Sequence, residues 1–202
     1  MARMAVADRR AALIQAAIRV IAAEGVAAAT TRAITAEAGM SLASFHYAFR
    51  SRDELIAELI PFVVADETAA AAATLADGVD LTTALRLGLT AFLDLVAAAP
   101  ARELAMLELT QYALRTDTLA ETAKAQYARY HEAAGALAEA AAHASDRTWR
   151  RPLPEIARIL VTFTDGLTLD WLVHRDTDAS RRVVEFAAAA LAALAAPAEE
   201  GA

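Results

Sequence analysis

Residues 30–49 read TTRAITAEAGMSLASFHYAF, and this stretch decides how the N-terminal part of the chain folds. Ile34 and Ala38 are four positions apart, so both side chains face one side of a short helix. Gly39 follows at once, and glycine tolerates the left-handed conformation that a sharp turn needs. The stretch therefore begins with a short helix that ends at a glycine turn.

A second short helix follows this turn. Ser41 stands where a side-chain oxygen can accept a backbone N–H at a helix start. Phe45 and Phe49 are again four apart, which predicts a buried stripe and turns the small and polar residues outward. Two short helices around a glycine turn, with a polar outer face on the second, predict a helix-turn-helix.

The same residues resemble a known family. The order Thr-Thr-Arg-x-Ile-x-x-x-Ala-Gly-x-Ser-x-x-x-x-x-Tyr-x-Phe, continued by Arg50-Ser51-Arg52-Asp53-Glu54-Leu55, is similar to the DNA-binding signature of TetR/AcrR-type transcriptional regulators. That family often has Gly where Ala43 stands and Tyr where His46 stands, and both differences bear on the base preference. The specific part of the resemblance covers about the first quarter of the chain, and beyond it only the layout and the helix count are similar.

The resemblance implies a set of DNA contacts. Thr31 and Tyr47 match positions that usually hydrogen-bond phosphate, and Arg52 matches a common lysine with the same role. Arg32 could reach either a base edge or a phosphate. The residues that would face the major groove are Ser41, Leu42, Ala43, Ser44 and His46.

Few of these groove-facing side chains can hydrogen-bond to a base. Leu42 and Ala43 offer apolar surface to thymine methyl groups, so part of the specificity would come from DNA shape. Other interpretations stay open at this point: Tyr47 as a half-buried core residue, His46 as a surface histidine and Ser44 as a solvated side chain.

Charge is unevenly distributed along the chain. The net charge is −7, yet residues 1–52 contain seven arginines and only three acidic residues, which makes them +4 and the remainder −11. A basic end on an acidic body is expected when that end meets phosphate, although an ordinary uneven surface would also give it.

The composition predicts an all-α protein. Ala, Leu, Glu and Arg dominate, with only seven Gly and five Pro. The resemblance implies about nine helices: a three-helix helix-turn-helix DNA-binding domain at 1–52, then a helical-bundle body at 53–202 for ligand sensing and dimerisation. Pro61 predicts a kink in the fourth helix. Breaks are expected as a loose arm at 1–7, a turn at Asp77–Gly78 and an interruption at Thr116–Thr118.

The sequence also bears on location. There is no cysteine, which fits a reducing cytoplasm. Residues 11–23 are interrupted by Gln15 and Arg19, so we expect no signal peptide. No apolar stretch reaches about 18 residues, so we expect no membrane span and a cytoplasmic protein.

The last two expected helices, roughly 154–174 and 177–195, are predicted to form a homodimer. The first of them is apolar on two sides, so one side can pack on its own body and the other on a second subunit. The alternative is that both sides are buried internally. The predicted interface residues are Ile159, Gly166, Leu169, Val173, Val184, Ala187 and Leu191.

The resemblance also implies that the body senses a small molecule, and its apolar character suits a pocket for an apolar or aromatic effector. Core packing is the alternative role for each candidate. The candidate lining residues are Phe62, Phe92, Met106, Gln111, Tyr112, Tyr127, His131 and Phe163.

Nothing in the sequence favours an enzyme. Its four histidines are not spaced as metal pairs, and it has no nucleophile elbow and no phosphate-binding glycine loop. We expect no cofactor and no metal. The predicted function is a DNA-binding regulator, most commonly a repressor in this family. The alternative is a helical dimer that acts through protein contacts without sequence-specific DNA binding.

Overall fold

The computed structural model describes residues 5–76, 78–116 and 120–198. Three predicted breaks fall partly outside them. They are the arm at residues 1–7, the turn at Asp77–Gly78 and the interruption at Thr116–Thr118. Of the turn, Gly78 is described, and its φ of 75° is positive as expected for a turn glycine.

The predicted all-α class is confirmed, since nine α-helices account for most of the described residues. The other regular elements of the described residues are one 3₁₀ turn (Val26–Ala28) and two short strands. The helices are α1 (Val6–Glu24), α2 (Thr31–Glu37), α3 (Leu42–Ala48), α4 (Arg52–Ala72), α5 (Leu81–Ala98), α6 (Pro100–Leu114), α7 (Ala120–Ala144), α8 (Leu153–His174) and α9 (Thr177–Ala192).

Hydroxyl side chains fix the starts of the two short helices. The Thr30 Oγ1 accepts a hydrogen bond from the Ala33 N–H at 3.1 Å, and the Ser41 Oγ accepts one from the Ser44 N–H at 3.2 Å. Each bond satisfies one of the N–H groups that a helix start leaves without an intrahelical partner. The predicted cap at Ser41 is confirmed, and α2 is capped by Thr30.

The start of α4 is fixed in a similar way. The Ser51 Oγ accepts from the Glu54 N–H at 3.1 Å, while the Glu54 carboxylate accepts from the Arg50 N–H at 2.8 Å. A capping box therefore forms at α4, with its return bond shifted by one residue to Arg50. At α5, the Asp80 carboxylate accepts from the Thr83 N–H at 3.1 Å.

The turn between α2 and α3 depends on a backbone conformation. Gly39 has a φ of 63°, which L side chains rarely adopt, while a Cβ added there would meet nothing within 4 Å. The position therefore requires glycine because of its backbone and not because of space. Gly25, after α1, has a φ of 83°, and its Cβ would also approach a Glu108 oxygen on α6 to 3.2 Å.

The chain forms two compact units. The first runs up to Val63 and adds Ala99–Gln126, and the second combines Val64–Ala98 with the chain from Tyr127 onward. In the first unit, α1 packs against α2, α3 and α6. These compact units do not test the predicted boundary between a DNA-binding domain and a body at residue 52, which stays a prediction.

The core of the first unit is built from the apolar stripes that the sequence pattern predicts. Phe45 of α3, Ile34 of α2 and Leu13 of α1 are all fully buried. Because these residues come from three different helices, their burial fixes how α2 and α3 are oriented against α1. Other large buried side chains of this unit are Ile21, Phe49, Leu55, Leu59 and Leu109.

In the second unit, α5 packs against α9 and α8, and α8 packs against α9. Their shared core includes Leu93, Ile156, Trp171 and Leu191. Within the described residues, α5 is the one helix whose length and composition would allow a membrane crossing. Six of its 18 residues are buried inside the protein.

A small sheet was not predicted from the sequence. Strand β1 (Arg147–Trp149) pairs antiparallel with β2 (Ala195–Pro197), with Thr148 opposite Ala196. The last helix was expected to continue to about residue 195. It ends at Ala192 instead, because the chain beyond it pairs with β1.

We expect Phe45→Ala to lower the free energy of unfolding by about 3–5 kcal/mol, because it removes a fully buried ring from the first core. Urea denaturation followed by circular dichroism would measure the change. Leu42→Ala on the same helix is the control, since Leu42 is 42% exposed and its loss should cost no more than about 0.5 kcal/mol. Similar losses for both variants would contradict this account of α3.

Candidate nucleic-acid interface

The outer face of α3 carries most of the predicted DNA contacts. Tyr47 is 57% exposed, so it is not a core residue. Ser44 is half-buried and hydrogen-bonds to the Ser41 hydroxyl at 3.0 Å. The other exposed residues of this face and of the cap are Ser41, Leu42, Ala43 and His46. The burial of Phe45 thus leaves the whole predicted groove-facing set accessible or partly accessible.

Helix α2 presents its first turn on the same unit. Thr31 is half-buried and Arg32 is exposed. Thr31 and Arg32 both offer backbone carbonyls to the buried Thr35 hydroxyl, at 2.8 and 3.0 Å. These bonds use the backbone carbonyl of Thr31 and not its side chain, so the Thr31 hydroxyl can donate to another acceptor.

Not every arginine of the basic end is available to DNA. Arg10 on α1 donates to the Ala48 carbonyl and the Glu58 carboxylate, and its guanidinium lies 4.1 Å from the centre of the Phe49 ring. Arg19 hydrogen-bonds to Glu37 at 2.5 Å. These two arginines join α1 to neighbouring elements. Because Glu58 lies outside residues 1–52, its pairing with Arg10 means that the formal charge of +4 overstates the free positive charge.

Arg52 is also used inside the fold. Its Nε donates to the Ala29 carbonyl at 2.7 Å, and its Nη2 donates to the Val26 carbonyl at 2.5 Å. Its Nη1 lies 3.6 Å from the Asp53 carboxylate. The guanidinium thus closes the 3₁₀ turn that leads into α2. A phosphate contact by Arg52 stays a prediction, and it would have to be made alongside these bonds.

Two other arginines of the first unit are more accessible. Arg32 and Arg50 are exposed, and within the described residues neither side chain has a hydrogen bond or an ion pair. Arg9 lies over the ring of Tyr47, with 5.0 Å between its guanidinium carbon and the ring centre. Sequence reasoning missed Arg50 and Arg9, although for Arg50 the position directly after the Thr–Tyr signature was a usable signal.

The predicted dimer interface needs a correction on α9. Val184, Ala187 and Leu191 are no more than 2% exposed, because they pack in the core of the second unit. These three are therefore not available to a partner chain. The sequence shows that α9 has an apolar stripe but does not show whether that stripe faces inward or outward.

The exposed apolar surface of the last two helices lies elsewhere. Leu169 and Val173 on α8 are 54% and 67% exposed, and Phe186 on α9 is 67% exposed. A Cβ added at Gly166 would meet nothing within 4 Å, so α8 is open there. Ile159 is half-buried. A dimer through α8 and α9 stays a prediction, and Phe186 is the residue that sequence reasoning missed.

The predicted effector-lining residues divide between the two units. Met106 is buried in the first unit, where Phe62 and Tyr112 are half-buried and Gln111 is exposed. In the second unit, Phe92 and Phe163 are partly buried against the core. A cavity of about 430 Å³ in the second unit contains none of the candidates; its lining residues are Arg150, Arg151, Pro152, Glu155, Ala193 and Leu194.

The remaining two candidates, Tyr127 and His131, lie together on α7. The Tyr127 hydroxyl donates to the Asp165 carboxylate on α8 at 2.9 Å. Burial, followed by the bond to Asp165 and its charge, raises the pKa of Tyr127 to about 12. Burial also raises the pKa of Asp165, while the bond from Tyr127 and the nearby His131 act in the opposite direction. Asp165 was not singled out from the sequence.

Comparisons with known proteins agree with this geometry. Residues 13–59, which include α2 and α3, match the family model described as "Bacterial regulatory proteins, tetR family". The chain is also similar to the HTH-type nicotine-responsive transcriptional repressor HdnoR of Paenarthrobacter nicotinovorans. The two are 31% identical over 177 residues, which cover 84% of this chain and 86% of the relative.

Solved structures share the fold over nearly the whole chain. The fatty acid degradation regulator FadR of Bacillus halodurans has a TM-score of 0.75 at 14% identity, covering 95% of this chain and 97% of its own. A TetR transcription regulator of Haloarcula marismortui has a TM-score of 0.70 at 20% identity, covering 94% of this chain and 100% of its own. At these identities the likeness concerns the fold alone.

We expect Arg52→Ala to lower the free energy of unfolding by about 1–3 kcal/mol, because two partly buried carbonyls lose their charged donor. Arg50→Ala is the matched control and should change stability by no more than about 0.5 kcal/mol, since its side chain is exposed. Urea unfolding of both variants measures the difference. Equal stabilities would contradict the structural role of Arg52.

Proposed function

Since the chain belongs to the tetR family of bacterial regulatory proteins and is a DNA-binding transcriptional regulator, we propose that it is a ligand-responsive repressor that binds a palindromic operator as a homodimer. The observation that carries the proposal is the outer face of α3. Phe45 is fully buried, which leaves the polar and small residues of this helix, with Tyr47, turned outward.

We propose that these residues make different contacts with DNA. Thr31 and Tyr47 hydrogen-bond phosphate, and Arg32 and Arg50 supply the accessible positive charge beside them. The outward side chains of α3 meet the base edges in the major groove. Contacts to phosphate hold the protein on the duplex, whereas contacts to base edges read its sequence. Because α3 offers few hydrogen-bonding groups, DNA shape contributes to the specificity.

The operator follows from the symmetry of the proposed dimer. One α3 reads only a short half-site, and two-fold symmetry repeats that half-site in inverted orientation. The two half-sites should then lie about 34 Å apart, or a multiple of this distance, along one face of the duplex.

The proposed dimer uses the exposed apolar surface of α8 and α9. Leu169, Val173 and Phe186 are each more than half exposed in the single chain. Removal of apolar side chains of this size from water by a second copy stabilises the dimer. Gly166 and the half-buried Ile159 complete the proposed contact on α8, where the missing side chain of the glycine lets a partner helix approach.

The proposed effector is a small molecule that binds the body and favours a conformation with weaker DNA affinity. The relative from Paenarthrobacter is named as responsive to nicotine, which is an aromatic compound, and this supports an apolar or aromatic effector here. We propose no enzymatic activity, no cofactor and no membrane association. A repressor acts on chromosomal DNA, so we place the protein in the cytoplasm.

The proposal is tested by fluorescence anisotropy with DNA from around the protein's own gene, at two salt concentrations. We expect tight, sequence-selective binding that weakens as salt rises, because bound arginines release counterions from the phosphates. Weak binding that ignores sequence would instead favour a helical protein that acts through protein contacts.

Tyr47→Phe provides a sharper test of the phosphate contact. Because only a hydroxyl is lost from an exposed ring, we expect DNA affinity to fall by roughly 0.5–1.5 kcal/mol while the fold is retained. The loss should be similar on every operator variant, since a phosphate contact carries no sequence information. Unchanged affinity, or a loss confined to one operator, would argue against this role.

We expect the double variant Val173→Glu, Phe186→Glu to raise the dimer dissociation constant at least about tenfold, because it places charge on the apolar surface of α8 and α9. Sedimentation velocity measures the change. Leu114→Glu is the control, because Leu114 on α6 is 72% exposed but lies outside these helices. A double variant that stays as dimeric as Leu114→Glu would rule out this interface.

A further inference from the structure

A half-buried carboxylate lies beside a group of ring side chains in the second unit. Asp165 is in the middle of α8, and its carboxylate accepts the Tyr127 hydroxyl at 2.9 Å. The Tyr127 ring contacts two further rings on α7. Tyr130 lies at a centroid distance of 5.8 Å with the planes at 85°, and His131 lies at 6.2 Å with the planes at 65°. We call these four residues the Asp165 cluster.

The carboxylate of the cluster has no resident strong cation. Within the described residues, no lysine or arginine forms an ion pair with Asp165, and apart from Tyr127 the one side chain that acts on its pKa is His131. Buried carboxylates are usually paired with a cation, because removal from water penalises the charged form. Among the described residues, its hydrogen-bond donor is the neutral hydroxyl of Tyr127, whose raised pKa keeps the proton in place.

The rings add a second preference to the site. Tyrosine faces carry negative electrostatic potential and attract cations, most strongly where water is partly excluded. Two tyrosines on one face of α7 therefore complement the same kind of ligand as the carboxylate. They also offer apolar surface to whatever carries the charge.

We propose that the Asp165 cluster binds the ammonium group of a protonated amine with an apolar or aromatic body, and that this amine is the effector of the regulator. The inference rests on the proposed ligand-responsive function and specifies the chemistry of the ligand. The carboxylate accepts an N–H of the ammonium group, and the tyrosine rings lie against the carbon atoms next to it. Carboxylate ligands are disfavoured here because they would meet a like charge.

A metal ion fits the cluster less well. The cluster offers one carboxylate and one imidazole, and the described residues contain no group of three or more histidine or acidic side chains that could hold a metal. Protein metal sites are commonly built from at least three such side chains. A single carboxylate with aromatic neighbours instead suits an organic cation.

The test uses the full-length protein and pairs of charged and uncharged probes. Nicotine, benzylamine and N,N-dimethylbenzylamine are the amines, and cotinine and benzamide are their uncharged counterparts. Thermal melting and isothermal calorimetry at pH 7.5 detect binding, since a ligand that binds only the folded state raises the melting temperature. We expect stabilisation by one or more amines and none by the amides.

Asp165→Asn is the decisive variant. The asparagine oxygen can still accept the Tyr127 hydroxyl, so the variant removes the charge while keeping the hydrogen bond. We expect amine affinity to fall roughly 10- to 100-fold, as for loss of a hydrogen bond to a charged group. Asp170→Asn is the matched control, because Asp170 is on the same helix, exposed, and engaged with His174 at 3.1 Å.

Tyr130→Leu supplies a second variant that leaves the carboxylate and its hydrogen bond from Tyr127 in place. We expect it to weaken amine binding roughly three- to tenfold through the lost ring. The proposal is overturned if the amides bind as well as the amines, if Asp165→Asn keeps full amine affinity, or if none of the three amines binds. Operator binding without amine is measured in parallel, so a failed regulator and a failed amine site give different results.

Discussion

The burial of Phe45 is the constraint on which the DNA-binding end depends. A helix as short as α3 has little stability of its own, so its position is decided by the side chains that it buries. Phe45 and Phe49 fill the core against α1, and their spacing leaves only one face of α3 for solvent. Most side chains of that face are then not needed for packing, although Ser41 caps the helix.

The arginines around this core show how one residue type serves two purposes. Arg10 and Arg52 donate to backbone carbonyls and carboxylates and thereby hold α1, α4 and the 3₁₀ turn together. Arg32 and Arg50 remain exposed, with no such contacts among the described residues. A guanidinium with several donors is suited to both tasks, so a count of charges along the sequence cannot separate them.

Much of the fold could be predicted from the sequence because the deciding signals are local. Ser41 caps α3, Ser51 and Glu54 cap α4, and Gly39 adopts the left-handed turn, each within four residues of its partner. The pairing of β1 with β2 could not be predicted in this way, because it joins segments almost fifty residues apart and each strand has only three residues.

The sites were less predictable than the fold, because they depend on contacts between distant parts of the sequence. An apolar stripe shows that a helix is buried on one side, but it does not say whether its neighbour belongs to the same chain. Val184 therefore belongs to the core, while Phe186, two residues later, is 67% exposed. The outward positions of α3 were easier to assign, because Phe45 and Phe49 left no second solution.

Asp165 illustrates the limit of sequence reasoning most clearly. Alone in the sequence it is an acidic residue in an apolar helix, which normally marks the solvent side. Its meaning comes from Tyr127, which is 38 positions away and supplies the only hydrogen bond to its carboxylate within the described residues. A carboxylate kept half-buried with so little compensation has a cost in stability. A cation that enters the site removes that cost only in the conformation that binds it, and this is the differential affinity that a ligand-driven switch requires.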